Sequence, residues 1–101
     1  MAELGKGKTF PVDPYVSEKL KDKETRDHFV THFLREDIIQ QLIKARKNAG
    51  LTQKELSEKI NIPQGNLSRL EGGNQMPTID TILKIASELG YRVELNLKKI
   101  I

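Results

Sequence analysis

Four polar residues lie close together in the short segment 64–70. Leu67 and Leu70 are the apolar residues of this segment, and their spacing predicts a helix that buries one face. The polar residues then lie on the exposed face of that helix. They are Gln64, Asn66, Ser68 and Arg69. Amide, hydroxyl and guanidinium groups are the donors and acceptors that read base edges in the major groove of DNA. The segment therefore has the composition of a base-reading helix.

The residues before this segment predict a second helix and a tight turn. Thr52 and Glu55 have the spacing of a capping box, in which each side chain bonds a free backbone N–H at the helix start. Asn61 stands at the turn, where it tolerates a positive φ better than most residues do. Pro63 suits the first turn of the next helix, where its missing N–H costs nothing. Two short helices joined by such a turn form the pattern of a DNA-binding helix-turn-helix.

The composition is that of one small domain of 101 residues. The chain has no cysteine, which excludes disulfides and thiolate metal sites and fits a reducing compartment. It has no apolar run of the ~20 residues that a membrane span needs, and no apolar region typical of a secretory signal. We therefore expect a cytoplasmic protein that does not bind a membrane.

The net charge of +3 is unevenly distributed along the chain. Residues 1–33 hold six basic and six acidic side chains, whereas residues 34–101 hold eleven basic and eight acidic ones. The whole excess thus lies in the half that contains the helix-turn-helix pattern, as expected if that half approaches phosphates.

Cap and turn residues predict about six helices. Asp13-Pro14, Asp22 and Thr78 are typical of helix starts, and Gly50 and Gly90 are typical of helix stops. Besides the two helices of the motif, we expect helices over about 13–21, 23–34, 36–49 and 78–89, with a break near Arg35. The residues of the third helix that should face the core are Ile38, Ile39, Leu42, Ile43 and Ala49. Those of the last helix are Ile79, Ile82, Leu83, Ala86 and Leu89.

The hydrophobic period changes from 3.6 to 2 after the last helix. Apolar residues alternate with polar ones at Tyr91, Val93, Leu95 and Leu97. This alternation predicts one strand, and a lone strand leaves its backbone N–H and C=O groups without partners. A second copy of the chain is the simplest source of the partner strand, so we expect a homodimer. The alternative is an edge strand that packs on its own helices.

The motif residues resemble the Xre-type helix-turn-helix family. The residues that carry the likeness are Ala49-Gly50-Leu51-Thr52-Gln53, Glu55-Leu56, Gln64, Leu67-Ser68-Arg69-Leu70-Glu71, Gly73, Met76-Pro77-Thr78-Ile79-Asp80-Thr81 and Leu89-Gly90-Tyr91-Arg92. Within that family the chain is most similar to HigA-type antitoxins of type II toxin–antitoxin systems, which pair a helix-turn-helix with a C-terminal segment of this kind. The segment Leu20-Lys21-Asp22-Lys23-Glu24 also resembles their N-terminal region, although Lys23 stands where Pro is common. The likeness covers about residues 13–98.

The resemblance implies roles for individual residues. The positions that contact DNA in the family correspond to Gln53, Gln64, Asn66, Ser68, Arg69 and Asn74. Of these, Gln64 and Arg69 match base-contacting positions, whereas Gln53 matches a phosphate-binding one. Arg46 and Glu71 match a pair that forms a structural salt bridge.

Two residues depart from the family pattern. Gly65 stands where a longer side chain often reads a base, which puts one base contact in doubt. Pro63 replaces a common Ser or Thr cap, so the first turn of the second motif helix loses a side-chain acceptor.

Several patterns have plainer interpretations. The polar face of the second motif helix can be an ordinary solvated face. His28, His32 and Glu36 have the spacing of metal ligands on one helical face, but an exposed polar stripe is the favoured interpretation. No set of residues has the pattern of a catalytic site, so we expect no enzyme, cofactor or metal.

The expected fold is mainly α, with a flexible arm over 1–12, a helical extension over 13–34, a helix-turn-helix domain over 35–90 and a dimerisation strand over 91–101. The expected function is binding of an inverted-repeat operator in double-stranded DNA, which represses the chain's own operon, together with neutralisation of an RNase-type toxin. Toxin neutralisation is expected from the resemblance and because residues 1–34 are not needed to build the helix-turn-helix domain.

The residues expected to bind the toxin are Phe10, Tyr15, Phe29 and Phe33. For the last two, burial in the core is the favoured alternative, because aromatic residues at helical spacing usually pack against the next helix. Two rival functions remain. One is a stand-alone Xre-type repressor without a toxin partner, and the other is a protein-interaction module that has lost strong DNA binding.

Overall fold

The computed structural model describes residues 2–3, 9–10 and 21–99, which contain two very short strands and four helices. The strands β1 and β2 span Ala2–Glu3 and Thr9–Phe10 and pair antiparallel, with Ala2 opposite Phe10. The helices α1 to α4 span Lys23–Asn48, Gln53–Ile60, Gln64–Glu71 and Ile79–Glu88. Both strands lie within the range for which we expect a flexible arm, residues 1–12. The helix expected over 13–21 lies outside the described residues.

The chain divides into two compact units. One takes the residues up to Asp37 together with those from Glu94 onward, and the other takes Ile38–Val93. The second unit contains the motif and has its own apolar core. This core consists of Leu42, Leu56, Ile60, Leu67, Leu70 and Ile85. This core contains residues from all four helices, so the buried face of α3 packs against the other three.

Helix α1 is continuous, so the predicted break near Arg35 is wrong. The 26 residues of the helix include neither glycine nor proline, and no other residue type in it would stop a helix. Asp22 caps its start, since the backbone N–H of Thr25 donates to Asp22 Oδ2 over 2.9 Å. Gly50, at φ 73°, ends it. Ala49, which we expected in the core, is exposed because it lies past the last helical turn.

The turn between α2 and α3 is built as the sequence predicts. Thr52 and Glu55 form a complete capping box, and these hydrogen bonds lower the pKa of the Glu55 carboxyl. Asn61 has φ 58° and ends α2 in the left-handed conformation. Pro63 differs by one position from our prediction, because it precedes the first turn of α3 and does not lie inside it. It supplies no side-chain cap.

Helix α4 starts at the predicted cap, where the backbone N–H of Thr81 donates to Thr78 Oγ1 over 3.2 Å. Two of its predicted core residues are nevertheless exposed, Ile79 at 68% and Leu83 at 47%. The helix packs against α2, and Ile85 and Ala86 form its buried stripe. Leu83 lies to one side of this stripe and Ile79 at the helix start, so the packing of α4 against α2 leaves both of them exposed.

Residues 91–99 form no helix or strand, so the predicted C-terminal strand is not present in the single chain. The backbone N–H of Tyr91 donates to the carbonyl of Ala86 over 2.8 Å and fixes the start of the segment. Within the described part of the chain, no helix combines the length and the apolar character that crossing a membrane requires.

Candidate nucleic-acid interface

A buried ion pair joins the end of α1 to the end of α3. Arg46 Nε donates to Glu71 Oε2 over 2.8 Å, and Arg46 Nη2 donates to Glu71 Oε1 over 2.9 Å. The side chains of the two residues are only 10% and 6% exposed. The third nitrogen, Arg46 Nη1, donates to the backbone carbonyl of Leu51 over 2.7 Å. A guanidinium with a fixed fork of donors thus holds three segments in one geometry.

Gln53 extends this network to the start of α2. Its Nε2 donates to Glu71 Oε1 over 2.9 Å, so the residue predicted to bind a phosphate is linked to the last residue of α3. A carboxamide nitrogen carries two hydrogens, and the second of these can still donate to an acceptor in solvent. The hydrogen bond to Glu71 therefore fixes the orientation of the Gln53 carboxamide at the start of α2.

Burial divides α3 into two faces. Leu67 and Leu70 are 1% and 7% exposed and pack in the core. The four polar residues predicted to contact DNA, Gln64, Asn66, Ser68 and Arg69, are all exposed. Asn74, in the loop that follows α3, is exposed as well. The structure thus brings four of the predicted residues onto one short helix, with Asn74 just after it.

Two of these exposed residues contact each other. Arg69 Nη2 donates to Asn66 Oδ1, one turn earlier on the same helix. A Cβ atom built on Gly65 would lie 3.4 Å from Arg69 Nη1, so the guanidinium lies beside the bare backbone of Gly65. This contact was not predicted, although the i, i+3 spacing of Asn66 and Arg69 places their side chains next to each other on a helix. No comparable signal existed for the bond between Gln53 and Glu71.

Other residues were predicted to contact a second copy of the chain or a toxin. Those of the predicted dimer interface are exposed: Tyr91 at 51%, Val93 at 45%, Leu95 at 83% and Leu97 at 92%.

Of the residues assigned to the toxin, Phe29 and Phe33 are half-buried on α1, with their rings stacked at 6.3 Å. The side chain of Phe10 and all of Tyr15 lie outside the described residues. His28 and His32 are exposed, and no group of three metal-ligating side chains occurs in the described ranges.

The chain matches the helix-turn-helix family HTH_3 over residues 42–96, more than half of its length, and it belongs to this family. The match covers the buried ion pair, the motif helices and α4. The chain is therefore a helix-turn-helix protein.

Two relatives are named as transcriptional regulators. The HTH-type transcriptional regulator ImmR of Bacillus subtilis strain 168 is 46% identical over 48 residues, which are 48% of this chain and 38% of ImmR. An uncharacterized HTH-type transcriptional regulator of Haemophilus influenzae is 35% identical over 57 residues, 56% of this chain and 58% of that relative. The matched part is thus less than two thirds of either relative. No solved structure matches the chain.

We predict that Arg46→Met lowers the free energy of unfolding by about 3–5 kcal/mol, because it leaves the Glu71 carboxylate buried without its charged partner. Lys23→Met is the matched control on the same helix, since Lys23 pairs with Asp27 while both are largely exposed, at 78% and 55%. The control should cost less than about 1 kcal/mol. Urea denaturation measures both, and equal effects of the two substitutions would contradict the buried role of Arg46.

Proposed function

We propose that the chain is a sequence-specific transcriptional regulator that reads the major groove of an operator with α3. The observation that carries this proposal is the exposed polar face of α3. The buried pair of Arg46 and Glu71 fixes the last residue of this helix. A recognition helix must keep its position when it enters the groove, because misplaced donors lose their base contacts. Repression of the chain's own operon is the regulatory outcome that the family resemblance implies.

The charge distribution supports this proposal. All of the net charge of +3 comes from residues 34–101, the part that contains the motif. A modest basic excess strengthens binding to phosphates on any sequence, so specificity depends on the side chains of α3. Gln53 fits the phosphate role, because its second amide hydrogen remains at the N-terminus of α2.

Base reading by Gln64 is the first testable consequence. Gln64→Ala should weaken binding to the preferred duplex by about 10- to 100-fold and relax the choice at one base pair. Gln53→Ala should weaken binding to preferred and random duplexes alike, because a phosphate contact carries no sequence information. Gln40→Ala, at an exposed position on α1, is the matched control and should change neither.

The probe is a duplex selected by the wild-type protein from a randomised pool, and fluorescence anisotropy gives the affinities. An unchanged preference in the Gln64→Ala protein would remove this residue from base reading.

We further propose a homodimer that binds an inverted repeat. Four apolar side chains at alternate positions of residues 91–97 are between 45% and 92% exposed, which is typical of a surface that a partner covers. If two such segments pair as strands across a two-fold axis, the half-sites should lie about 34 Å apart or at a multiple of this distance. Packing of residues 94–99 inside their own compact unit is the competing account.

Val93→Pro distinguishes the two accounts, because proline removes a backbone donor and distorts a strand. We expect the wild type to sediment as a dimer and this variant as a monomer. Val93→Ala keeps the backbone donor and should remain a dimer with weaker association. A wild type that sediments as a monomer, or a tight dimer of the proline variant, would exclude pairing through this segment.

Neutralisation of a toxin is the more specific proposal, and its support is of two kinds. One is the resemblance to HigA-type antitoxins. The other is the segment that precedes the family match, which begins at residue 42. This segment includes the stacked and half-buried Phe29 and Phe33. A stand-alone repressor has no use for a separate partner-binding segment, and it remains the alternative function.

Co-expression with the product of the adjacent gene tests the toxin proposal. The wild type should restore growth and co-purify with that protein. The double variant Phe29→Ala with Phe33→Ala should lose protection and keep DNA binding, because the aromatic pair lies outside the unit that contains α3. Glu24→Ala with Thr31→Ala alters exposed residues of the same helix and should protect fully. His28 and His32 are unsuitable as controls, because their rings pack edge-on against Phe29 and Phe33. Full protection by the phenylalanine variant would exclude this pair as the toxin contact.

A further inference from the structure

The position of the Arg69 side chain explains why a glycine can stand at residue 65. In a helix, side chains point toward the N-terminus and cover the preceding turn. Arg69 follows this rule, and its Nη1 lies where a Cβ on Gly65 would be only 3.4 Å away. A Cβ there would make an ordinary van der Waals contact with the guanidinium, and a longer side chain that turns toward Arg69 would compete with it for the same space. The bare backbone of Gly65 leaves room for Arg69.

Asn66 holds the guanidinium in this place. Its Oδ1 accepts the hydrogen bond from Arg69 Nη2, while both residues are exposed. An exposed arginine otherwise samples many rotamers and loses entropy when it contacts a base. A hydrogen bond to a neighbour on the same helix reduces that loss before DNA arrives. The bond also moves the charged end of Arg69 toward the first half of α3, the half that contacts base edges in recognition helices.

From this geometry we propose that Gly65 and Asn66 position Arg69 to read a guanine, in place of the base contact that a longer residue 65 would make. The bond to Asn66 uses one of the five N–H donors of the exposed Arg69, and two of the others can donate to guanine O6 and N7. Asn66 is then a positioning residue. Its Oδ1 faces Arg69 and does not present the paired acceptor and donor with which asparagine reads adenine. This inference rests on the proposed sequence-specific binding.

A double-mutant cycle on full-length protein tests the inference. The probe is again the duplex selected from a randomised pool, together with versions in which each guanine of a half-site is replaced. Arg69→Ala should abolish the preference for one guanine, a loss of about 10- to 100-fold in affinity for the selected duplex. Asn66→Ala should reduce the same preference and no other. In the Arg69→Ala background, Asn66→Ala should have no further effect.

Gln64→Ala is the matched control for the cycle, because it truncates another exposed polar residue of α3, five positions before Arg69 and at the start of the helix. Its effect should multiply with that of Arg69→Ala. Gly65→Gln provides an independent test. Glutamine favours helix more than glycine does, so its intrinsic propensity should stabilise α3 at this position. We expect this variant to keep its stability, measured by urea denaturation, and to lose the guanine preference.

The outcomes separate the inference from the function on which it rests. Multiplicative effects of Asn66→Ala and Arg69→Ala, or an adenine preference lost in the Asn66 variant, would overturn the positioning role while sequence-specific binding stands. Retained guanine preference in Gly65→Gln would overturn the role of the glycine. If the wild type selects no sequence from the pool, the proposed function and this inference both fail.

Discussion

The buried pair of Arg46 and Glu71 is the interaction on which the functional surface depends. Glu71 is the last residue of α3, and it accepts hydrogen bonds from Arg46 on α1 and from Gln53 on α2. Burying two charges costs desolvation energy, which their attraction offsets only when the geometry is good. The net gain in stability from such a pair is therefore small. Its physical effect is to fix relative positions, because a displaced partner would leave a charge buried and unpaired.

The local features of the motif could be predicted from the residues themselves, whereas most tertiary features could not, and the pair of Arg46 and Glu71 was expected only from the family resemblance. The capping box of Thr52 and the left-handed Asn61 depend on residues within a few positions of each other, so spacing reveals them. The continuity of α1 was not predicted, although the segment around Arg35 contains neither glycine nor proline and so has no residue that would stop a helix. The exposure of Ile79 and Leu83 depends on which elements cover α4, and a periodic pattern carries no information on that.

In the candidate site, too, local features could be predicted from residue spacing and most tertiary contacts could not. The exposed face of α3 follows from the positions of Leu67 and Leu70, which fix the buried side. The bond from Gln53 to Glu71 joins residues 18 positions apart and depends on the angle between two helices. The contact of Arg69 with Asn66 needs a rotamer choice among several that the helix allows. From the sequence, Gly65 is only a departure from the family pattern. The side-chain positions show that it lies beside the guanidinium of Arg69.

If α3 is a recognition helix fixed by Arg46 and Glu71, the protein must bind one DNA sequence in preference to others. The most direct measurement is the ratio of affinities of the full-length protein for its selected duplex and for a scrambled duplex of the same composition, at physiological salt. Specific recognition predicts a ratio of at least about 10³. A ratio near one, with both affinities falling equally as salt rises, would mean that only phosphates are bound and would contradict the account.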